Sequence, residues 1–223
     1  MYRALGIGVF ELLWTKGRDV PLSTFACIDE PSRAALARAR ASGRGIVLAA
    51  SHTGNWEIAA CRLAEEGSLL AVTKRLSVGG FHRFCSDLRA CRRVETVHSG
   101  DVVWKARQRL RRGGAVAMML DQVPMRRAHG VVTDFLGGTV QVDRSPAAMA
   151  AVVGAPLVVT AARRNDDGTH TLTVLAVHEP PPDAPRAWVE RVTVEATRAL
   201  ERFVRENPSE WLWLHRRWAM PAA

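Results

Sequence analysis

Gly45-Ile46-Val47-Leu48-Ala49-Ala50, running on into Ser51-His52-Thr53-Gly54-Asn55-Trp56-Glu57, is the stretch that sets the fold. Its first six residues form a short, wholly apolar run, which predicts a strand buried on both faces, as in a parallel sheet. A helical pattern takes over at about Asn55 and runs to Glu66, where Gly67 stops it. A buried strand that passes through a turn into a helix is the building unit of an α/β fold.

The alternation continues in both directions. Upstream, residues 31–42 read as a helix, with Pro31 in its first turn and Gly43 as its stop. Downstream, Ser68 to Thr73 reads as a strand, 79–92 and 101–112 as helices, and Ala115 to Leu120 as a third buried strand. Residues 121–130 read as a polar loop. Ser145-Pro146 suits a helix start, with the serine as cap, and Gly154 suits its end. Residues 156–163 and 169–177 alternate around Asn165-Asp166-Asp167-Gly168, a strong hairpin signal. A linker at 180–185 leads to an amphipathic helix over 186–206 and a closing Trp-rich segment. The expectation is an α/β fold with a mixed, mainly parallel sheet flanked by helices, in one domain over 1–223.

The net charge of +9, in an Arg- and Ala-rich chain, fits a coding bias and equally an acidic protein partner or an anionic membrane. Nucleic acid is not expected: Tyr2 is the only tyrosine, no zinc-finger or RNP-like pattern occurs, and the basic residues are scattered. Cys27, Cys61, Cys85 and Cys91 have no metal- or redox-type spacing and read as reduced core thiols; no metal or organic cofactor is expected. No apolar run reaches the ~18 residues a membrane span requires. Residues 4–14 are apolar but lack the flanks of a signal peptide, so the chain is expected in the cytoplasm. Residues 2–16 fit either an amphipathic helix on a bilayer surface or a core helix.

His52 stands just past a buried strand, where α/β folds present functional groups to a crevice, and Glu57 stands in the first turn of the next helix. On one continuous helix, positions five apart are rotated by ~140° and do not meet. The chain must turn between them, and Thr53-Gly54-Asn55 is suited to a turn. Glu57 would then fix the imidazole tautomer while His52 takes a proton from a substrate hydroxyl. A histidine packed at a helix start beside a solvated glutamate is the alternative from position alone.

His52-Thr53-Gly54-Asn55-Trp56-Glu57 resembles the H-x-x-x-x-E motif of the bacterial lipid A late acyltransferases, the lauroyl/myristoyl transferase family. The likeness continues through Asp121-Gln122, Gly130, Phe135-Leu136-Gly137, Ser145 to Ala150, Gly154-Ala155-Pro156 and Arg164 to Gly168. It ends with Asn207-Pro208 and Trp211 to Trp218, including His215-Arg216-Arg217. The resemblance implies a glycerolipid-acyltransferase-type fold and transfer of an acyl group from an acyl carrier protein thioester to a hydroxyl of a glycolipid precursor. It implies a peripheral place on the cytoplasmic face of the inner membrane. By position it assigns His52, Glu57, Asp121 and Arg89 to catalysis. Arg89 would hold thioester or phosphate charge, with a solvated helix face as its alternative, and Asp121 would face Arg89 or the substrate in preference to capping a loop. Asn55, Trp56, Gln122, His215, Arg216 and Arg217 are assigned to substrate binding, with packing an even alternative for the last three. Against the family's pattern, which opens with a hydrophobic anchor helix and a further segment, residue 1 is expected to fall near the end of that segment. Gln141-Val142-Asp143-Arg144 replaces a threonine-rich stretch. A glycerophospholipid acyltransferase, a thioesterase and a non-catalytic lipid- or carrier-binding relative stand as other readings.

Overall fold

The computed structural model describes residues 2–16, 20–74, 79–98, 100–124, 126–214 and 217–218. The apolar run forms β2 (Ile46–Ala50), at the centre of a seven-stranded sheet. On one side of it lie β5 (Ala115–Met119), β3 (Leu69–Val72) and β4 (Val94–Val97). On the other lie β8 (Leu157–Arg164), β9 (His170–His178) and β1 (Ala26–Ile28). All pairings are parallel except the β8–β9 hairpin. The sheet is mixed and mainly parallel, as expected.

The pleat sends alternate side chains of β2 into two different layers. Ile46 and Leu48 join a core with Leu36 and Ala39 of α2 (Glu30–Arg40), Ile58 of α3 (Trp56–Glu65) and Leu88 of α4 (Gly79–Cys91). Val47 and Ala49 join one with Leu110 of α5 (Val102–Arg111), Ala147 of α6 (Ser145–Val153) and Leu200 of α7 (Arg186–Glu206). With both faces covered, a continuous apolar strand is what the sheet requires.

Four strands lay outside the sequence pattern. β1 has three residues, and β4 (VETV) is half exposed, too short and too mixed for a periodic signal. The third difference is a separate antiparallel hairpin, β6 (Gly130–Phe135) and β7 (Gly138–Asp143). Its two-residue turn places Leu136 and Gly137 at positive φ, 51° and 83°, the conformation that matches strand twist in a tight hairpin. The start of α6 is at Ser145 as expected, but its cap differs: the Asp143 carboxylate accepts the Ser145 amide at 2.8 Å. The four thiols are free, yet only Cys61 and Cys85 are buried, while Cys27 and Cys91 are exposed.

α1 (Tyr2–Lys16) packs on the body through Leu12 and Thr15 and leaves Phe10, Leu13 and Trp14 exposed. Among the described residues no helix is long and apolar enough to cross a membrane.

Candidate active site

Parallel register makes the site. Ala50 pairs with Met119, so β2 and β5 end side by side, and two residues beyond each end stand His52 and Asp121. The pairing brings an imidazole and a carboxylate together in the crevice at the carboxyl ends of the strands. His52 Nδ1 lies 2.9 Å from Asp121 Oδ1, and the His52 backbone N–H donates to Asp121 Oδ2 at 2.8 Å. Asp121 Oδ2 also accepts the Trp211 indole N–H at 3.0 Å. Burial pushes the Asp121 carboxyl up, but the neighbouring His52 and these donors outweigh it and hold the group far below the usual carboxylate range. An ionised Asp121 accepts a proton-bearing Nδ1, which leaves the lone pair of a neutral imidazole on Nε2.

The loop carrying His52 is pinned on both sides. Gly54 has φ +53°, and a Cβ there would meet the Ala162 carbonyl oxygen at 2.7 Å. Thr53 Oγ1 accepts the Ala162 amide at 3.0 Å. From the other side, Gly54 N–H donates to the Glu210 carbonyl at 2.8 Å and Leu212 N–H to the His52 carbonyl at 2.9 Å. Thr53 and Trp211 form an antiparallel bridge.

Glu57 has a different partner from the one expected. Its two oxygens accept Arg89: Nε to Oε2 at 2.8 Å, and Nη2 to Oε1. The first turn of α3 directs Glu57 toward α4, which carries Arg89, while the turn at Gly54 lays the His52 ring against the end of β5. The carboxylate holding Nδ1 is therefore Asp121, and Asp121 faces His52 and not Arg89. Burial pulls the Arg89 pKa down, and the bonds to Glu57 more than restore it, so the pair is a fixed ion pair. Burial and the Glu57 charge push the neighbouring Cys61 thiol up to about 12, which leaves it inert.

Asn55 caps α3 by accepting the Ile58 amide at 3.3 Å, and its Nδ2 donates to Gly8 O and to Glu11 Oε2 of α1. The Trp56 ring meets the His52 ring edge-on, with centroids 5.1 Å apart. Arg217 is fully buried, donates to the Gln122 carbonyl at 3.0 Å and lies over the Phe135 ring. It does not line the cavity described below, and its Nε and Nη2 are buried without a hydrogen-bond partner among the described residues. His215 and Arg216 lie outside the described residues.

His52, Glu57, Arg89, Asn55, Trp56 and Gln122 share one cavity of about 740 Å³, with α1 as one wall through Leu5, Gly8, Val9 and Leu12. Ala71, Val72, Val102 and Met118 add to an apolar lining. That size suits a ligand with a long apolar part and a few polar contacts. Among the described residues no group of His, Cys, Asp and Glu is arranged to hold a metal ion.

Two sets of residues escaped the sequence reading. Trp211 was seen only as part of a closing motif. Glu11 reaches Arg164 Nε at 2.8 Å, His170 Nε2 at 3.0 Å and Asn55 Nδ2 at 3.0 Å, tying α1 to β8, β9 and the His52 loop. The available signal was a lone carboxylate inside the apolar run at 4–14. Burial raises the Glu11 pKa, but bonds from His170, Asn55 and Arg164 outweigh it and lower it from 4.5 to about 2. A folded-state value below the unfolded one adds stability that is complete above the unfolded pKa and is lost as pH falls through about 2. Glu11→Gln is expected to lower Tm at neutral pH, and its gap from the wild type is expected to close as pH approaches 2. A gap that stays constant down to that pH would show that the carboxylate charge does not hold α1.

A family model described as bacterial lipid A biosynthesis acyltransferase matches residues 31–220. The match takes in β2, the His52 loop, both carboxylates and Trp211. No curated protein matches the chain.

Proposed function

The chain belongs to the bacterial lipid A biosynthesis acyltransferase family, and from that premise we propose that it moves a fatty acyl chain from an acyl carrier protein thioester to a hydroxyl of a lipid A precursor or related glycolipid. The observation that carries the reading is His52 on the wall of an apolar-lined cavity, backed by the buried Asp121 at its Nδ1. His52 Nε2 removes the acceptor hydroxyl proton as the oxygen attacks the thioester carbon. The C–O bond forms, the tetrahedral oxyanion collapses with cleavage of the C–S bond, and the imidazolium returns the proton to the departing thiolate. Asp121 stabilises that imidazolium from Nδ1, as the carboxylate does in a hydrolase triad, but here the substrate supplies the nucleophile. Arg89, set in place by Glu57, supports the developing oxyanion or an acceptor phosphate from the same cavity. Asn55, Trp56 and Gln122 complete the polar end of the binding site.

Two surfaces support the partners in this reading. α5 starts at the cavity, which Val102 lines, and carries Lys105, Arg107 and Arg111 on its exposed side, none in an ion pair among the described residues. A basic helix beside the entrance fits an acidic carrier protein. The exposed Phe10, Leu13 and Trp14 of α1, together with the positive net charge, fit a peripheral place on the cytoplasmic face of the inner membrane.

The test supplies acyl carrier protein thioester, labelled in its acyl group, with a panel of glycolipid acceptors. Label is expected in the acceptor; release as free fatty acid without transfer would overturn the reading in favour of a thioesterase. Reversing Lys105, Arg107 and Arg111 together to Glu is expected to raise KM for the carrier-bound donor about tenfold or more, with KM for acyl-pantetheine unchanged. Equal KM changes for both donors would remove the carrier protein from this helix.

A further inference from the structure

A carboxylate can hold an imidazole in one tautomer only if the carboxylate itself is prevented from turning. Asp121 has no contact with solvent, so its orientation depends wholly on the donors around it. Oδ1 faces His52 Nδ1, while Oδ2 accepts two N–H groups, one from the His52 backbone and one from Trp211. The His52 amide and Nδ1 both belong to the residue that Asp121 is meant to orient, so together they fix the two groups relative to each other and not to the rest of the fold. The indole arrives from a different segment and ties both to it.

That segment is tied to the same loop. Trp211 forms the bridge with Thr53, and the next residue, Leu212, donates to the His52 carbonyl. The contacts close a ring: His52 backbone to Leu212, Trp211 indole to Asp121, and Asp121 back to the His52 imidazole. The indole is itself held edge-on by Phe135 at 5.3 Å and Trp213 at 4.9 Å between centroids.

From this closed ring we infer that Trp211 is a positioning residue for the acyl-transfer base: its N–H fixes Asp121, and through Asp121 the tautomer and orientation of His52. The inference rests on the proposed role of His52 and extends it to a residue with no part in the H-x-x-x-x-E motif. Trp211 does no proton transfer; its contribution is the orientation of a buried charge by a charge-assisted hydrogen bond.

The test replaces Trp211, at that position alone, by benzothienylalanine, the same bicycle with sulfur in place of the N–H, and in parallel makes Trp211→Phe. In the wild type the His52 Nδ1 proton is expected as a low-field NMR signal protected from solvent exchange. In both variants that exchange is expected to speed up, and kcat to fall about ten- to a hundredfold with donor KM unchanged. Phe135→Leu serves as the packing control: it loosens the indole's surroundings but keeps its donor, so Tm is expected to fall while the Nδ1 signal stays protected. Unchanged Nδ1 exchange and kcat in the benzothienylalanine protein would overturn the inference. The same loss in Phe135→Leu would also overturn it, by assigning the effect to packing. Because the NMR signal needs no substrate, faster Nδ1 exchange in a protein that transfers no acyl group would uphold the positioning role and reject the transferase reading.

Discussion

Replacing His52 by alanine is expected to slow acyl transfer by about a thousandfold or more, the range that removal of a positioned general base covers. Asp121→Asn is the sharper variant. The amide keeps the shape of the carboxylate and still accepts at one position, but its NH2 placed against Nδ1 favours the tautomer with the proton on Nε2. That tautomer has no lone pair to offer the hydroxyl, and the corresponding change in a hydrolase triad costs about 10⁴-fold. The measurement is kcat in the labelled-donor assay, with the fold checked by circular dichroism. Transfer within about tenfold of the wild type in either variant would remove His52 from the role of base.

The second large effect belongs to Glu57 and Arg89. Both side chains are mostly shielded, and each satisfies the other through two hydrogen bonds. Glu57→Ala strands the guanidinium without its counter-charge, a loss of about 3–5 kcal/mol by comparison with other buried pairs. Removing both partners, as Glu57→Ala with Arg89→Met, leaves no isolated charge and is expected to be clearly milder in stability. Arg89→Met alone is expected to resemble Glu57→Ala. Chemical denaturation of the three variants reads this as a double-mutant cycle. Three additive effects would show that the two residues act separately, and would reopen a direct role for Glu57 on His52. All three proteins are expected to transfer poorly, because an acyltransferase that loses either group loses the fixed positive charge at its cavity wall.

The outcome for Glu57 shows where sequence reasoning reached its limit. Spacing located His52 after β2 and Glu57 in the first turn of α3, and both proved to line one cavity. Which carboxylate holds the imidazole depends on which strand lies beside β2. In chain order β3 comes next, yet β5 is the neighbour, and only that insertion puts Asp121 beside His52. Local patterns specify strands and their ends; they carry no information on lateral order. Trp211 was hidden for the same reason, since its partner is a strand end far away in the chain. The long helix α7 and the β8–β9 hairpin were legible because their signals are local: 3.6-residue periodicity in one, an Asn-Asp-Asp-Gly turn in the other.

The pairing of residues 210–212 with the His52 loop also orders events during synthesis. The ribosome releases the chain from its N-terminus, and sheet strands β2 and β5 emerge well before that segment does. A nascent chain with its sheet already assembled therefore still lacks the group that locks Asp121 in place. On the proposed role of Trp211, such a chain is expected to transfer acyl groups about ten- to a hundredfold more slowly than one whose residues 210–212 have left the exit tunnel. A chain cut short before Trp211 is expected to keep His52 and Asp121 but to lack the donor that orients them.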